Sequence, residues 1–399
     1  MDRQILVLNV GSSSIKFSVY QQAADGLLKV LLSGQLTHQG QNREFKVDCF
    51  ASDCFASDSR QQWQEARVDN NRKADVARIL DYLANSKAGF AITLVGHRVV
   101  HGGTSFAKPA LINEQVLASL RELQDLAPLH QAHNVDAIAA VAELWPSVKQ
   151  VACFDTAFHH SMPAEAQTFA IPKHFTEQGI RPYGFHGLSY QYIASILPSV
   201  KPKPCLSRVL VAHLGSGASL CAMRDLRSVA TTMSFTPLDG LAMATRSGAI
   251  DPGVLLYLLN NKAMTVEQLQ QLLNHQSGLL GMSGISADLR ELLASDHPAA
   301  SAAVDHYIYR IVLALGSMAA AAGGIDTLVF TAGVGQHCAQ VRERVCQQIA
   351  WLGVKLNTQA NASHAQCISH KDSQVAVYVI ATDEALMIAQ HCLALDIAS

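Results

Sequence analysis

Leu6-Val7-Leu8-Asn9-Val10-Gly11-Ser12-Ser13-Ser14-Ile15-Lys16-Phe17 is an apolar run, a Gly–Ser tip and a second apolar run. The pattern predicts two strands joined as a β-hairpin, the second spanning 15–20. Hydroxyls, backbone N–H groups and the Lys16 ammonium gather at the tip. Such a set suits phosphate oxygens, although an ordinary serine-rich turn has the same composition. A Walker A loop is excluded: G-x-x-x-x-G-K-[ST] is absent, and a strand rather than a helix follows.

The same logic returns at Val209-Leu210-Val211-Ala212-His213-Leu214-Gly215-Ser216-Gly217-Ala218-Ser219-Leu220. Gly215 lies 204 residues after Gly11, about half of the 399-residue chain. The echo implies two related halves, each offering a phosphate-binding hairpin; chance likeness between two Gly/Ser turns is the other reading. Further along, the periodicity predicts helices over 74–84, 265–274, 302–322 and 340–352, and strands over 92–100, 150–154, 327–331 and 375–380. Thr265 with Gln268 forms a capping box, and Gly278 is placed just past that helix. Gly323-Gly324 stops the long Ala-rich helix. Thr382 and Asp383 are N-cap candidates for a last helix with Glu384 in its first turn. This alternation of strands and helices predicts an α/β fold.

A chain of 399 residues exceeds one ordinary core and predicts two domains. Hydrophobic residues at 49% and charged residues at 16% make it globular. The net charge of -2, with both signs mixed, argues against nucleic acid and anionic membrane as partners. The longest uncharged apolar stretch, 311–325, falls short of the roughly 20 residues a membrane span needs. No apolar signal segment precedes Gly11. Nine cysteines without C-x-x-C fit reduced thiols and a cytoplasmic location, and argue against a disulfide framework or zinc site. Residues 48–52 repeat at 53–57, read as a local duplication, and 67–73 is read as solvated.

Several clusters suit the handling of anions. His97-Arg98 with His101-Gly102-Gly103 brings donors to a strand end, and Thr245-Arg246-Ser247-Gly248 flanks a second Arg with small residues. Arginine clamps carboxylates and phosphoryl groups well; each could equally serve a surface ion pair. Phe154-Asp155-Thr156-Ala157-Phe158-His159 offers a carboxylate after a strand, or a helix N-cap. Tyr183-Gly184-Phe185-His186-Gly187 holds a His among aromatics and glycines, as a catalyst or a packed loop residue.

Taken together with Leu126-Ala127-Pro128-Leu129-His130, Phe330-Thr331-Ala332-Gly333 and Thr382-Asp383-Glu384, these segments resemble the acetate kinase family in order and spacing over nearly the whole chain. The resemblance implies two duplicated actin-like, ribonuclease H-like domains around a nucleotide cleft. The first would cover 1–153, with the final helix 385–399 packing back on it, and the second 154–384. It also implies reversible phosphoryl transfer from ATP to acetate, giving acetyl phosphate and ADP with Mg²⁺ or Mn²⁺, by a homodimer.

By the resemblance, Arg98 and Arg246 hold the acetate carboxylate and the transferring phosphoryl, and His186 and His130 donate to its oxygens. Asn9 and Glu384 position the metal, and Asp155 orients the metal-bound phosphoryl or the substrate. Ser12, Ser14 and Lys16 line the phosphate end. His213, Leu214, Gly215, Ser216 and Gly217, then Asp288, Leu289 and Arg290, then Gly333, Val334, Gly335, Gln336 and His337 hold the nucleotide. Val100, Leu129, Phe185 and Pro237 form the small acid pocket. A propionate or butyrate kinase of the same family, or a catalytically weakened nucleotide-binding relative, is the alternative.

The chain departs from the family pattern at Ser216, Ala230, Ala244, Ala249, Gln336 and His337, and at Gln131-Ala132-His133 where Asn-Pro-Pro is usual. Most of these changes fall in nucleotide-side loops. Ala249 replaces an Asp, which removes an expected ion-pair partner for Arg246.

Overall fold

The computed structural model describes residues 3–11, 14–39, 42–50, 60–66, 72–86, 88–127 and 131–398. Ser12, Leu129, His130 and most of the repeat at 48–57 therefore lie outside the described residues. The chain divides into two compact units, Met1–Ala157 with Asp383–Ser399, and Phe158–Thr382.

The first unit is built on an eight-stranded sheet. Its strands are β1 (Gln4–Val10), β2 (Ser14–Gln22), β3 (Leu28–Gln39), β4 (Asn42–Cys49), β5 (Arg60–Ala66), β6 (Ile92–Val99), β7 (Ala110–Leu111) and β8 (Lys149–Phe154). They lie in the order β5-β4-β3-β2-β1-β6-β8-β7. β1 is apolar on both faces because both are covered: Ile5, Leu6, Val7 and Leu8 are all buried. On one face lie the helices Arg72–Ala84 and Gln131–Leu144. The first of these contributes Val76, Ile79, Leu80 and Leu83 at helical spacing. The helix Glu384–Ala398 covers β6. Gly96 permits its close approach, since a Cβ there would stand 2.5 Å from Ile388 Cγ2 and 2.7 Å from Cys392 Sγ.

The second unit holds β9 (Arg208–Leu214), β10 (Ala218–Arg224), β11 (Arg227–Thr231), β12 (Thr327–Thr331) and β13 (Ala376–Val379), in the order β11-β10-β9-β12-β13. The two sheets share one plan. The first hairpin strand is antiparallel to the second and parallel to a later strand, which pairs in parallel with a fourth. β3-β2-β1-β6-β8 in one sheet thus matches β11-β10-β9-β12-β13 in the other. The fold is α/β with a duplicated core, and the Gly11/Gly215 echo marks equivalent hairpins.

Local signals hold in detail at several places. The Thr265–Gln268 capping box forms on the helix Val266–His275, and Gly323 ends the helix Pro298–Ala322 with φ 74°. Asp383 caps the last helix by accepting from the Leu386 N–H at 2.8 Å. Three expectations need correction. Gly278 does not cap the preceding helix; with φ +61° it opens the next, Gly278–Ser283. The helix expected over 340–352 stops at Gln348, and a 3-10 turn leads to Gly353. Cys49 is disulfide-bonded, so the cysteines are not all reduced. Among the described residues, no helix is long and apolar enough to cross a membrane.

Candidate active site

In the first unit, parallel β1, β6 and β8 end on the same side, where open α/β sheets bind ligands. Arg98 stands at the end of β6. Its Nη1 donates to Asn9 Oδ1 at 3.2 Å, its Nε to Asp155 Oδ1 at 3.1 Å and its Nη2 to Asp155 Oδ2. Glu384 Oε2 lies 3.8 Å from Nε. Four residues from three strand ends and one helix start, all on the sequence-derived list, thus converge. Burial opposes the Arg98 charge, but Asp155 and Glu384 outweigh it and raise its pKa. Burial pushes the Asp155 carboxyl up to about 6; Arg98 pulls it back and Glu384 adds to the rise.

Buried amides hold the segment after Arg98. Asn134 Oδ1 accepts from the Val100 N–H at 3.0 Å, and its Nδ2 donates to Val10 O at 3.1 Å, tying β1 to β6. Gln131, at the first departure from Asn-Pro-Pro, bonds both the His101 N–H (3.2 Å) and the His101 carbonyl (3.1 Å). The replacement therefore has a structural use. His97 and His101 do not join an anion site. His97 is buried beside Gln150, and burial lowers its pKa to about 4; the His101 Nδ1 accepts from the Gly103 N–H at 2.9 Å. Lys16 pairs opposite Asn9 across the hairpin, with its side chain exposed.

In the second unit, His186 is left-handed (φ 57°, ψ 23°) at the N-terminus of the helix Gly187–Ile196. Only a small share of non-glycine residues adopt this conformation. The ring stacks on His213 at 4.2 Å between centroids, and its Nδ1 lies 2.8 Å from Ser219 Oγ. The carbonyl of neighbouring Phe185 bonds His159 Nε2 at 2.9 Å, a histidine whose pKa burial lowers to about 4.

Gly217 sits at the tip of the β9–β10 hairpin. A Cβ there would meet His186 Nε2 at 3.5 Å and Arg246 Nη1 at 3.6 Å. An imidazole edge and a guanidinium thus border one small space that glycine leaves open. Arg246 Nη1 donates to the Pro237 carbonyl at 3.1 Å, so a backbone acceptor helps to orient it. Gly278 allows this loop to close: a Cβ would come 2.1 Å from Met243 O and 2.7 Å from Arg246 O.

Apart from Ser14, which begins β2 in the first unit, the remaining described residues on the list lie in the same unit. Parallel β9–β12 pairing sets His213 beside Thr331, and Ala332 Cβ is 3.6 Å from the Cβ position of Gly215. The short helix Ala332–His337, which carries Gly333, Val334, Gly335 and Gln336, therefore adjoins the hairpin tip of Leu214 to Gly217. Arg342, absent from that list and fully buried, donates to Gly335 O at 2.9 Å and Gln336 O at 2.7 Å. Asp288 caps the short helix that begins at Leu289 and pairs with the exposed Arg290; that side-chain bond lowers its pKa to about 2. Ser219, inside the apolar strand β10, was also missed; a lone hydroxyl in a buried strand was its signal.

Among the described residues, no three His, Cys, Asp or Glu side chains cluster as a metal cage. The oxygens of Asn9, Asp155 and Glu384 around Arg98 are hard donors and suit Mg²⁺ held partly through water.

Residues 4–390 match the model of the acetokinase family. An acetate kinase of Rhodopseudomonas palustris is 50% identical, covering 98% of both chains. One of Nitrobacter hamburgensis is 45% identical over 98% of this chain and 96% of its own. Among solved structures, a propionate kinase from Francisella tularensis superposes with a TM-score of 0.90 at 34% identity, covering 98% of this chain and 99% of its own. An acetate kinase from Porphyromonas gingivalis gives 0.86 at 34% identity with the same coverage.

Proposed function

The chain belongs to the acetokinase family, and from that premise we propose that it transfers the terminal phosphoryl of ATP to the carboxylate of acetate. The products are acetyl phosphate and ADP, and the reaction runs both ways. The observation that carries this reading is the space over Gly217, bordered by His186 Nε2 and Arg246 Nη1. Two donors around a gap of that size suit a phosphoryl group whose oxygens gather charge in the transition state.

The acceptor is already ionised at neutral pH, so no strong general base is needed. The obstacle is repulsion between two anions. Arg98 binds the acetate carboxylate, its fork held by Asn9 and Asp155. Arg246 and His186 donate to the phosphoryl oxygens, with His130 as a further donor. Asn9 and Glu384 would hold Mg²⁺ or Mn²⁺, and Asp155 would orient the phosphoryl. When bound, the ion offsets charge on the nucleotide phosphates. Ser12, Ser14 and Lys16 take the phosphate end. The β9–β10 tip, Asp288 to Arg290 and the short helix carrying Gly333 to His337 take the nucleotide, with Arg342 holding the Gly335 and Gln336 carbonyls. Val100, Leu129, Phe185 and Pro237 limit the acid's size.

Hydroxylamine trapping with ATP and Mg²⁺ tests the reading. Acetate should give acyl hydroxamate in step with ADP; ADP without hydroxamate would refute it. The likeness to a solved propionate kinase favours a second reading, turnover of the longer acid, which the same assay run on propionate and butyrate resolves. We also propose a homodimer. The helix Pro252–Asn261 has no buried residue, and Leu256 and Tyr257 stand exposed on it. Sedimentation at twice the 42.9 kDa chain mass is expected; a monomer at all concentrations would refute it.

A further inference from the structure

We infer that Tyr190 and Ser219 are positioning residues that lock the neutral His186 ring with its proton on Nε2, so that it donates to the phosphoryl without carrying a charge. The inference rests on the role proposed above for His186 and deepens it. Ser219 Oγ lies 2.8 Å from His186 Nδ1 and is also hydrogen-bonded to the Tyr190 hydroxyl. Both Ser219 and Tyr190 are fully buried.

The direction of the chain follows from proton counting. Among the described residues, Ser219 is the hydrogen-bond partner of the Tyr190 hydroxyl. A buried O–H left without an acceptor costs the full desolvation of the group, so the phenol donates to Ser219 Oγ. Burial also holds its pKa well above the ordinary tyrosine value, so the proton stays on the phenol. Among the described residues, His186 Nδ1 is the other hydrogen-bond partner of the buried Ser219 hydroxyl, so its one hydrogen, which would otherwise lack an acceptor, goes to His186 Nδ1. A neutral imidazole that accepts at Nδ1 carries its proton on Nε2. Nε2 is the atom beside the Gly217 space and Arg246.

Among the described residues, the other groups around His186 agree with a neutral ring. His213 stacks on it, and the Arg246 guanidinium stands across the Gly217 space. The His159 edge meets Tyr190 at 5.6 Å and, with its pKa lowered to about 4, brings no charge at neutral pH. An imidazolium beside the Arg246 guanidinium would be repelled. A neutral donor avoids that cost and still offers an N–H.

Nitrogen-15 spectra of histidine-labelled protein test this directly, with the His186 signals identified by their loss in His186→Gln. At neutral pH the native ring should show a protonated Nε2 and a bare Nδ1. Ser219→Ala should populate both neutral tautomers. Its kcat should fall roughly tenfold, as for one lost hydrogen bond, with the acetate KM unchanged. The loss should deepen as pH rises, because an imidazolium donates without help from Ser219. Ser219→Thr should restore the native spectrum, and Tyr190→Phe should weaken the tautomer preference. A native ring protonated on Nδ1 alone or on both nitrogens would overturn the inference, whatever the activity. So would a Ser219→Ala loss that is the same at every pH and that threonine does not rescue.

Discussion

Gly217→Ala separates a phosphoryl site from a structural turn. The φ of Gly217 lies outside the left-handed region, so alanine can adopt its backbone. The nearest atoms to the new methyl are His186 Nε2 at 3.5 Å, Arg246 Nη1 at 3.6 Å and His186 Cε1 at 3.6 Å. All three are ordinary van der Waals contacts, so folding is undisturbed. A Gly→Ala change at a compatible site stabilises by about 0.4–1 kcal/mol through the unfolded chain. Catalysis should respond differently. A phosphoryl oxygen needs to approach each donor to about 2.7–3.1 Å, and losing one such donor costs about 10²–10³ in kcat, or about 2.7–4 kcal/mol. The methyl group occupies the space both donors border, so the loss should reach at least that range. Thermal melts and hydroxamate initial rates measure the two effects side by side. A variant that melts like the native protein and keeps most of its kcat would refute the assignment of this space to the phosphoryl.

Arg98 needs an ionised Asp155 to hold its fork. The Asp155 pKa is raised to about 6, so the carboxylate is present above that pH and is lost as pH falls through it. The kcat/KM for acetate should drop on the acid side with an apparent pKa near 6, and a flat profile through that range would count against the arrangement. Val100→Ala enlarges the acid pocket and should shift the acetate-to-propionate ratio of kcat/KM toward propionate by about 10–200-fold, the worth of one methylene; an unchanged ratio would remove Val100 from the pocket. Gly278→Ala sets a Cβ 2.1 Å from Met243 O at φ +61°. It should cost more than about 1 kcal/mol of stability from the left-handed strain alone and displace Arg246, lowering kcat. A native melting curve with native activity would contradict the tight packing of that loop.

The two hairpins were legible because their strands are covered on both faces and read as apolar runs. The β3–β5 meander was not read. Its strands are rich in polar residues, as in Arg60-Gln61-Gln62-Trp63-Gln64-Glu65-Ala66, and pairing across the sheet defines them more than composition does. β2 outruns its expected end at 20 because β3 pairs along its whole length, from Ser14 to Gln22. Among the candidate site residues, Arg98, Asp155, His186 and Arg246 were proposed from their motifs. His97 was grouped with them, but successive strand residues face opposite sides, so a β6 that aims Arg98 at Asp155 turns His97 into the core. Ser219 and Tyr190 were missed because their partners are distant in sequence: Ser219 lies 33 residues from His186 and 29 from Tyr190.

We propose that Arg98, Arg246 and His186 neutralise the meeting of acetate with a phosphoryl group. Inhibition by fluoroaluminate, a planar mimic of the transferring phosphoryl, tests it most directly. With MgADP, the native enzyme should be inhibited tightly only when acetate is also present, and Arg98→Leu, Arg246→Leu and His186→Gln should each abolish that dependence. Inhibition that is equally tight without acetate, or that survives loss of both arginines, would contradict it.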